Sequence, residues 1–428
     1  MNTEDLIRLK KYRQMKDQIR GSDQHMIVGI DIGKDKHHAF AGTATGKTLL
    51  RRLIFENTID GFRRFLTHVN AIGDQNGLDE TIFGMEPTGN YHKPLGSHLI
   101  RCNRNVVLVS GVMAKHNREL LDGRWDKHDS KCAANVADLI SQGKFLFYES
   151  PSTGIEQLRE LLSFRRRLKK QEHSVKMRIR NGLITKYFPE MDRFFGRCEA
   201  EGLGIVRWCL DPNKILSMDF GHFLQIVTTR DRGEAQRRRL RKIYDLAANS
   251  VGCSMGEAAE FEAKMLVDRL MELRQKIAET ADQLRAYSSE FPEYSYLLTI
   301  PGFGPYISSL VLAKIGNPYR FENRKQVVKL SGYDLGAIRS GKSSDQAVPV
   351  ISKRGNSELR YGLYQAALVA STRNEHFIKY YTRTLKGRER ERGIRTKMRV
   401  KLAAKMLVIA WTLMKKHQPF NPDCLNTE

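Results

Sequence analysis

The chain has 428 residues, which is enough for two or three domains with hydrophobic cores of their own. Hydrophobic residues make up 41% of the chain, an ordinary fraction for a globular protein. The net charge of +24 is not ordinary. It favours a polyanionic partner, because cationic side chains that neutralise phosphates release bound counterions. The alternative is a ribosomal or generally adhesive basic protein.

The six cysteines form no Cys-x-x-Cys pair, so we expect reduced thiols, no zinc site and a cytosolic protein. They stand at positions 102, 132, 198, 209, 253 and 424. The first 20 residues alternate charged and apolar side chains and lack the apolar core of a signal peptide. No apolar run reaches about 18 residues, so the sequence predicts a soluble intracellular protein that does not cross a membrane.

A basic leader, residues 1–25, is predicted to be helical, and residues 26–150 form the first predicted domain. In that domain, short β-rich runs alternate with helix-like stretches. The runs occupy residues 26–31, 39–43, 49–55, 81–85 and 106–109. Such alternation predicts an α/β fold with a mixed sheet.

Three acidic residues in this domain have the placement expected of a metal-dependent nuclease of the RNase H-like class. Asp31 closes the first apolar run, Glu86 closes the fourth, and Asp129 stands at a predicted helix start. Phosphodiester chemistry needs hard oxygen ligands, and two metal ions about 3.5–4 Å apart can stabilise both the attacking and the leaving oxygen. The three carboxylates therefore predict an Mg²⁺ site and a chain that cuts or moves nucleic acid.

Residues 151–290 are predicted to be an α-helical connector. Apolar residues recur every seven positions in two segments, which predicts helices over about 155–185 and 256–288 that pair as an antiparallel coiled coil. Their seam either packs within the chain or forms a dimer. Between these helices, roughly residues 186–255, we expect an irregular helical insertion with a phosphate-facing basic strip at 237–239 and 241–242.

The last predicted domain, residues 291–428, is mainly α-helical. Near its start, Gly302 and Gly304 lie between two predicted helices and resemble a helix-hairpin-helix turn. The backbone N–H groups of such a turn and the N-terminus of the following helix can hold a DNA phosphate. The alternative is a Pro-Gly turn that only separates two helices.

A serine in a basic segment of this domain is a candidate nucleophile toward phosphorus. Ser340 is flanked by Arg339 and Lys342. Further cations that could fold back on it follow in the chain: Lys353, Arg354 and Arg360. Cations around a serine lower its pKa and neutralise charge that develops on a phosphate. The alternative is a Ser-Gly surface loop among cations that bind phosphate without chemistry.

Six short motifs occur in the order found in one protein family. They are Gly29-Ile30-Asp31-Ile32-Gly33-Lys34, Glu86-Pro87-Thr88-Gly89, Lys127-x-Asp129, Ile300-Pro301-Gly302, Arg339-Ser340-Gly341 and Ser352-Lys353-Arg354-Gly355-Asn356. In these motifs, over residues 26–415, the chain resembles the DEDD transposases of bacterial insertion sequences. This is the family numbered one hundred and ten, now known as bridge-RNA-guided serine recombinases.

The resemblance implies a fold and a set of roles. The expected fold is a RuvC-like α/β domain, a coiled-coil connector and a mainly α-helical transposase domain with a catalytic serine. Asp31 and Glu86 correspond to acids of the cluster that acts with Mg²⁺. Ser340 corresponds to the serine that attacks the scissile phosphate and forms a phosphoserine link with DNA.

The resemblance also implies partners. These are element-end and target DNA, a noncoding guide RNA that pairs with both, and further protomers in a homodimer or homotetramer. The guide RNA follows from the resemblance alone, although leaving sequence choice to base pairing suits a phosphate-binding protein. The expected location is the bacterial cytoplasm, at the nucleoid.

One position departs from the family. The family's acidic pair reads Lys-x-Asp-x-x-Asp-Ala, which places both carboxylates on one helix face. Here Asp129 is followed three residues later by Cys132, a soft and poor ligand for Mg²⁺. Asp126 could substitute only if the helix rotated or its register slid by one turn. We expect reduced or absent strand cleavage with nucleic-acid binding retained, unless the covalent step on serine makes the thiol tolerable.

Two other functions fit parts of the sequence. One is a RuvC-like scaffold, a catalytically impaired copy that grips RNA or branched DNA. The other is a hydrolytic nuclease that uses the acids and not Ser340. Five histidines near the acids are interpreted as phosphate contacts or plain surface rather than as proton carriers. They are His37, His38, His92, His116 and His128.

Overall fold

The computed structural model describes residues 3–122, 128–196, 199–336 and 349–425. The chain divides into two compact units, Met1–Ser152 and Thr153–Glu428. Within the described ranges, no helix is both long enough and apolar enough to cross a membrane.

The first unit is built on a mixed sheet whose described strands follow the order β3-β2-β1-β4-β5-β6. The strands are β1 (His25–Asp31), β2 (Lys36–Thr43), β3 (Thr48–Glu56), β4 (Glu80–Met85), β5 (Asn105–Leu108) and β6 (Leu146–Phe147). β1, β4 and β5 are parallel, whereas β2 lies antiparallel to β1, β3 to β2 and β6 to β5. The predicted α/β fold with a mixed sheet is confirmed, and each of the five predicted runs coincides with a strand.

Helices cover both faces of this sheet. They are α1 (Thr3–Gln18), α2 (Ile59–Gln75), α3 (His92–Arg101), α4 (Gly111–Asp122) and α5 (Asp129–Ser141). Residues of β1 alternate between the faces: Val28 and Ile30 pack with α2 and α3, whereas Ile27 packs with α1, α4 and α5. Both faces of the central strands are therefore buried, which explains their uninterrupted apolar sequences.

The basic leader is part of this first unit. Met15 of α1 and Ile19, which directly follows that helix, are both buried. The Tyr12 ring meets the rings of Phe145 and Phe147 edge-on, with centroids 5.6 and 5.4 Å apart. The predicted leader helix is confirmed, and its apolar side helps to close the face of the sheet that α5 covers.

The second unit is mainly helical. Its helices are α6 (Thr153–Arg178), α7 (Thr185–Tyr187), α8 (Asp192–Phe195), α9 (Glu199–Trp208), α10 (Pro212–Leu216), α11 (Phe220–Val227), α12 (Glu234–Ala247), α13 (Glu257–Ser289), α14 (Pro292–Leu298), α15 (Pro305–Ile315), α16 (Arg324–Ser331), α17 (Ser357–Arg373), α18 (Glu375–Leu385) and α19 (Ile394–Lys416). A π-helical segment, Ile179–Ile184, continues α6, and short 3-10 turns occupy Pro189–Met191, Pro318–Arg320 and Pro422–Leu425. Two short strands, β7 (Leu335–Gly336) and β8 (Val350–Ile351), pair antiparallel.

The two long helices α6 and α13 pack along each other in opposite directions. Leu168 of α6 is buried against Leu273 and Ile277 of α13. Toward the end of α6, Arg178 donates from Nη2 to Oε1 of Glu262 at 2.7 Å, near the start of α13. The predicted pair of long helices is confirmed, and its description as a coiled coil stays a prediction.

Separate apolar clusters stabilise the rest of this unit. In the insertion, Phe188, Phe195 and Phe223 are fully buried. In the C-terminal helices, Leu310 of α15 and Leu363 of α17 belong to a second cluster. Between the two long helices the described residues form the six helices α7–α12, and their assignment as an insertion stays a prediction.

Candidate functional site

Asp31 and Glu86 lie side by side at the carboxyl edge of the sheet. β1 and β4 are parallel neighbours with Ile30 opposite Met85, so the next residue of each segment reaches the same edge. Because side chains alternate along a strand, both carboxylates belong to the face that carries α5. Both are half-buried. The structure thus brings together two of the three predicted acids.

Asp129 reaches the same edge from the start of α5. It is the first residue of that helix, as predicted, and its side chain is 62% exposed. Its Oδ2 atom lies 3.2 Å from Nε2 of His38. His38 stands opposite Asp31 in the pairing of β2 with β1, so both side chains face α5. His38 therefore links Asp129 to the strand pair that carries Asp31. Its interpretation as plain surface was wrong, because its side chain is largely buried, and a phosphate contact by His38 stays a prediction.

Two glycines allow α5 to lie directly on the strands. A Cβ added at Gly29 of β1 would collide with the backbone oxygen of Ala133, and one added at Gly84 of β4 would collide with the side chain of Ile140. At the helix start, Nδ1 of His128 accepts a hydrogen bond from the backbone N–H of Lys131 at 3.1 Å. These contacts fix the position of the first turn of α5, which carries Asp129.

A buried polar network joins α4 to α5. Asn117 donates from Nδ2 to Oδ1 of Asn135 at 2.9 Å and to Oδ2 of Asp138 at 2.7 Å. Asn135 in turn donates to the backbone oxygen of Ala114 at 2.7 Å. Buried polar groups that are mutually satisfied hold their elements rigidly. The two helices whose first residues border the acidic edge are thereby held in one arrangement.

Glu86 is placed against the start of α4. A Cβ added at Gly111, the first residue of that helix, would lie 2.7 Å from Oε1 of Glu86. A carboxylate at a helix N-terminus is stabilised by the partial positive charge of the free N–H groups. Only glycine at position 111 leaves room for the carboxylate in this position.

The Gly111→Ala variant is expected to keep its fold and lose activity. The added methyl group meets the flexible end of the Glu86 side chain, so the carboxylate moves while the backbone stays in place. We expect little change in the melting temperature and, for the strand cleavage that the sequence predicts, a loss of about tenfold to a hundredfold, since displacements of about 1 Å can cost that much. The matched control is Gly196→Ala, because a Cβ there meets nothing within 4 Å. A Gly111→Ala protein that cleaves like the wild type would contradict this role of Glu86.

The donors at this edge suit a hard divalent cation, since carboxylate oxygens are the protein ligands that Mg²⁺ and Ca²⁺ prefer. In the part of the chain that the structure describes, no three His, Cys, Asp or Glu side chains lie close enough together to enclose an ion. The carboxylates of Asp31, Glu86 and Asp129 lie at the same edge and on the same face of the sheet. To hold an ion together, their side chains would have to move closer to one another.

Cys132 lies one turn beyond Asp129 on α5 and is only 4% exposed. Its side chain faces into the unit and not into solvent. Asp126, the predicted alternative ligand, and Lys127, the first residue of the Lys-x-Asp motif, lie outside the described residues. A carboxylate at position 132 would enter from the same helix as Asp129, three residues later, on the side that meets the sheet.

His37 lies on the opposite face of the sheet from His38. It is fully buried, and its ring is 5.1 Å from that of Phe55 and 6.0 Å from that of Phe62. Burial lowers the pKa of His37, so the imidazole is neutral, and its Nδ1 accepts a hydrogen bond from the N–H of Gly33 at 3.3 Å. Its interpretation as surface or phosphate contact was wrong, because neighbouring residues of a strand point to opposite faces.

The candidate nucleophile Ser340, with Arg339 and Lys342, lies outside the described residues. The structure describes the residues on either side of that segment, which pair as β7 and β8. Next to this pair Gly332, with a φ of +69°, packs directly on Gly355, and a Cβ on either residue would collide with the other segment's backbone. Two chain segments are therefore in direct backbone contact at Gly332, before β7, and Gly355, after β8.

Of the three cations predicted to accompany the serine, two are exposed and one is engaged. Lys353 and Arg354 are exposed at the base of the β7–β8 pair. Arg360 donates from Nη1 to the backbone oxygens of Ser331 at 2.9 Å and of Lys353 at 3.4 Å. It braces the base of the segment in this structure, and nucleic-acid contacts by all three cations stay predictions.

The predicted turn between two helices joins α14 to α15. Gly302 has a φ of +90°, and a Cβ there would collide with the backbone oxygen of Ala366 on α17. Gly304 precedes the first residue of α15, and a Cβ there would meet nothing within 4 Å. The predicted turn between two helices is confirmed, and Gly302 is required by its backbone conformation and by close packing. The role of this turn in holding a phosphate stays a prediction.

Comparison with known proteins identifies what the chain is similar to. Residues 28–189 match the IS110-type DEDD family described as "Transposase", and residues 294–382 match the "Transposase IS116/IS110/IS902 family". The "Insertion element IS116 uncharacterized 44.8 kDa protein" of Streptomyces clavuligerus is 22% identical over 404 residues, which cover 92% of this chain and 96% of that protein. The "Insertion element IS110 uncharacterized 43.6 kDa protein" of Streptomyces coelicolor is 21% identical over 413 residues, or 92% and 95% of the two chains.

Proposed function

Because this chain belongs to the IS110 family of DEDD transposases, which are DNA-cleaving and recombining enzymes, we propose that it cuts and rejoins the DNA of an insertion element with Ser340 as the nucleophile. The observation that supports the proposal is that Asp31, Glu86 and Asp129 lie at one edge of the sheet, on the face that carries α5, whereas the role of Ser340 is taken from the family resemblance. Acids at the carboxyl ends of neighbouring strands can hold the cation that phosphodiester chemistry requires.

The acidic edge is proposed to hold Mg²⁺. DEDD transposases in general depend on a divalent metal ion, and three carboxylates form a donor set suited to a hard one. When bound, the ion polarises the scissile phosphate and stabilises charge on the leaving oxygen. Asp31 and Glu86 would bind it from the two strand ends, and Asp129 would bind it from the start of α5. His38, 3.2 Å from Asp129, would orient that carboxylate.

Ser340 is proposed to attack the scissile phosphorus through its hydroxyl oxygen. A new Oγ–P bond forms, one P–O bond of the DNA backbone breaks, and the serine proton ends on the hydroxyl of the released strand. Attack by a strand hydroxyl on the phosphoserine link then reverses these bond changes and frees the serine. Each step exchanges one phosphodiester bond for another, so no external energy source is needed. Lys353 and Arg354, both exposed, supply cations for the charge on the phosphate.

A guide RNA and a second protomer complete the proposal. The RNA would pair with element-end and target DNA, so that the protein contributes phosphate contacts and chemistry while base pairing selects the sequence. The net charge of +24 supports a partner with many phosphates. The protein would act as a homodimer or homotetramer in the bacterial cytoplasm, at the nucleoid.

The experiment that tests this function is an assay for a covalent protein–DNA adduct. The purified protein is incubated with labelled element-end DNA, the flanking noncoding transcript and Mg²⁺, and the products are separated on a denaturing gel. We expect a protease-sensitive adduct that forms with the wild type, in an amount reduced by Cys132, and disappears with Ser340→Ala, because the alanine variant has no oxygen to bond to phosphorus. Ser343→Ala, in the same segment, is the matched control and should retain the adduct.

The same gel separates the alternatives. A hydrolytic nuclease would nick the DNA without an adduct and would continue to nick it as Ser340→Ala. A protein that only binds nucleic acid would retard the DNA on a native gel and would produce neither nicks nor adduct. Omission of the transcript tests the guide RNA separately, since a protein that chooses DNA unaided would form the adduct without it.

A further inference from the structure

The C-terminal helices enclose a groove to which no role has been assigned. It lies between α16, α18 and α19, is closed at one end by the 3-10 turn Pro422–Leu425, and has a volume of about 900 Å³. Its floor is apolar. The floor residues are Val328, Ala404, Val408, Ile409, Leu413 and Leu425. This volume is in the range of pockets that take small ligands, and it is open along one side.

Cations line the rim of this groove. They are Arg324 of α16, Arg383 of α18, and Lys401 and Lys416 of α19. None of these four forms an ion pair with any residue that the structure describes. Asp423 is the one acid of the lining, and its Oδ2 accepts a hydrogen bond from Asn421 at 3.0 Å. The rim is therefore positively charged, and this charge is not neutralised by the described part of the chain.

One wall of the groove is rigid. Lys405 donates from Nζ to the backbone oxygen of Leu425 at 3.0 Å, and the same nitrogen lies 4.8 Å from the ring centroid of Tyr380. The guanidinium of Arg383 lies 5.7 Å from the same ring, in Tyr380's own helix. These contacts connect α18, α19 and the final turn, so the groove is a formed feature of the fold and needs no partner to shape it.

We propose that this groove binds an unpaired nucleotide of single-stranded nucleic acid, with the base on the apolar floor and the flanking phosphates on the cationic rim. A splayed nucleotide presents one apolar ring surface and two anionic neighbours, which is the combination that the groove complements. A duplex keeps its bases stacked inside and would leave the apolar floor without a contact. The four rim cations, which form no ion pair within the described residues, favour an anionic occupant.

This inference rests on the proposed function, because a transposase that opens DNA or binds a structured RNA presents unpaired nucleotides. The chemistry is shared by DNA and RNA. A protein of this kind would use the groove to hold a single strand at a defined place while cutting occurs elsewhere.

The test measures binding of the full-length protein to labelled 12-nucleotide oligo(dT), 12-nucleotide oligo(U) and a 12-base-pair duplex by fluorescence anisotropy. Ala404→Phe fills the groove without changing charge. We expect it to weaken the binding of single strands by about tenfold, as for the loss of one base contact, with duplex binding and the salt dependence unchanged. Val408→Asp, which places a carboxylate on the floor, is expected to have the same selective effect and provides a second variant should the first not fold.

Charge variants give the complementary result. Arg383→Glu with Lys401→Glu should weaken binding and reduce its salt dependence, because phosphate contacts are lost. Arg167→Glu with Lys170→Glu on α6, two exposed cations that do not line the groove, is the matched control. Ala404→Phe and Val408→Asp proteins that bind single strands like the wild type, or that lose single strands and duplex equally, would overturn the proposal. The comparison of the two oligonucleotides decides between DNA and RNA as the preferred strand.

No strand cleavage is needed for these measurements. The binding measurements therefore test the groove even if no covalent adduct forms. Conversely, groove variants that bind like the wild type would not change the interpretation of the adduct assay. If the groove bound an acidic protein instead of nucleic acid, substitutions in it would not change oligonucleotide binding, and that result counts against the proposal.

Discussion

The Cys132→Asp variant is expected to cleave element DNA at least about tenfold faster than the wild type in Mg²⁺, because each 1.4 kcal/mol of added stabilisation is worth a factor of ten. The substitution places a fourth carboxylate three residues after Asp129, on the side of α5 that meets the sheet. A thiol is a poor ligand for Mg²⁺, whereas a carboxylate about 4 Å from an ion contributes several kcal/mol even at an effective dielectric constant of about 20. DNA binding is expected to stay the same.

The stability of this variant provides a second measurement. Cys132 is 4% exposed, so an aspartate there is partly withdrawn from water and destabilises the fold when no cation is present. Added Mg²⁺ should therefore raise the melting temperature of Cys132→Asp more than that of the wild type, since a ligand that binds only the native state stabilises it. Cys132→Asn, similar in size and without charge, is the control and should gain neither activity nor dependence on Mg²⁺. A Cys132→Asp protein that cleaves no better than wild type would refute the assignment of position 132 to the acidic cluster.

The Asp31→Asn variant is expected to lose at least about a hundredfold in strand cleavage, because a charged metal ligand supplies several kcal/mol of transition-state stabilisation. The amide keeps the shape of the side chain at the end of β1 and removes its charge. The fold should persist, since the buried part of β1 ends before this position. Binding of element DNA, which depends on cations elsewhere, should change little.

The matched control for this variant is Asp35→Asn, because Asp35 is exposed and follows the same strand. It should cleave like the wild type. The two proteins should also differ in metal dependence. The residual cleavage rate of Asp31→Asn should reach half of its maximum only at a higher Mn²⁺ or Mg²⁺ concentration than the rate of Asp35→Asn. Equal activities of the two variants would show that the carboxylate of Asp31 takes no part in the reaction.

Much of the first unit could be predicted from the sequence because its signals are local. The apolar runs that end in Asp31 and Glu86 are strands, and parallel strands bring their carboxyl ends to one edge without any information about distant contacts. The helix start at Asp129 was also visible, in the charged segment that precedes an apolar pattern. The two long helices followed from their seven-residue repeat for the same reason.

The features that were missed depend on which face a residue occupies. His37 and His38 are neighbours in sequence, yet one is buried among phenylalanines and the other contacts Asp129, because the register of β2 with β1 decides their faces. The roles of Gly29 and Gly111 depend on how closely a helix approaches, which a single sequence does not reveal. The cationic groove joins residues from 324 to 425, and no short motif marks it.

The central claim is that the acidic edge of the first unit holds the divalent ion at which DNA is cut, and the most direct measurement locates that ion on the polypeptide. Fe²⁺ in place of Mg²⁺, with ascorbate and hydrogen peroxide, produces hydroxyl radicals at the bound ion that cut the nearest backbone. The account predicts cuts close to residues 31, 86 and 129, suppressed by excess Mg²⁺ and absent in Asp31→Asn. Cuts confined to other parts of the chain, or cuts near these residues that persist in Asp31→Asn, would contradict it.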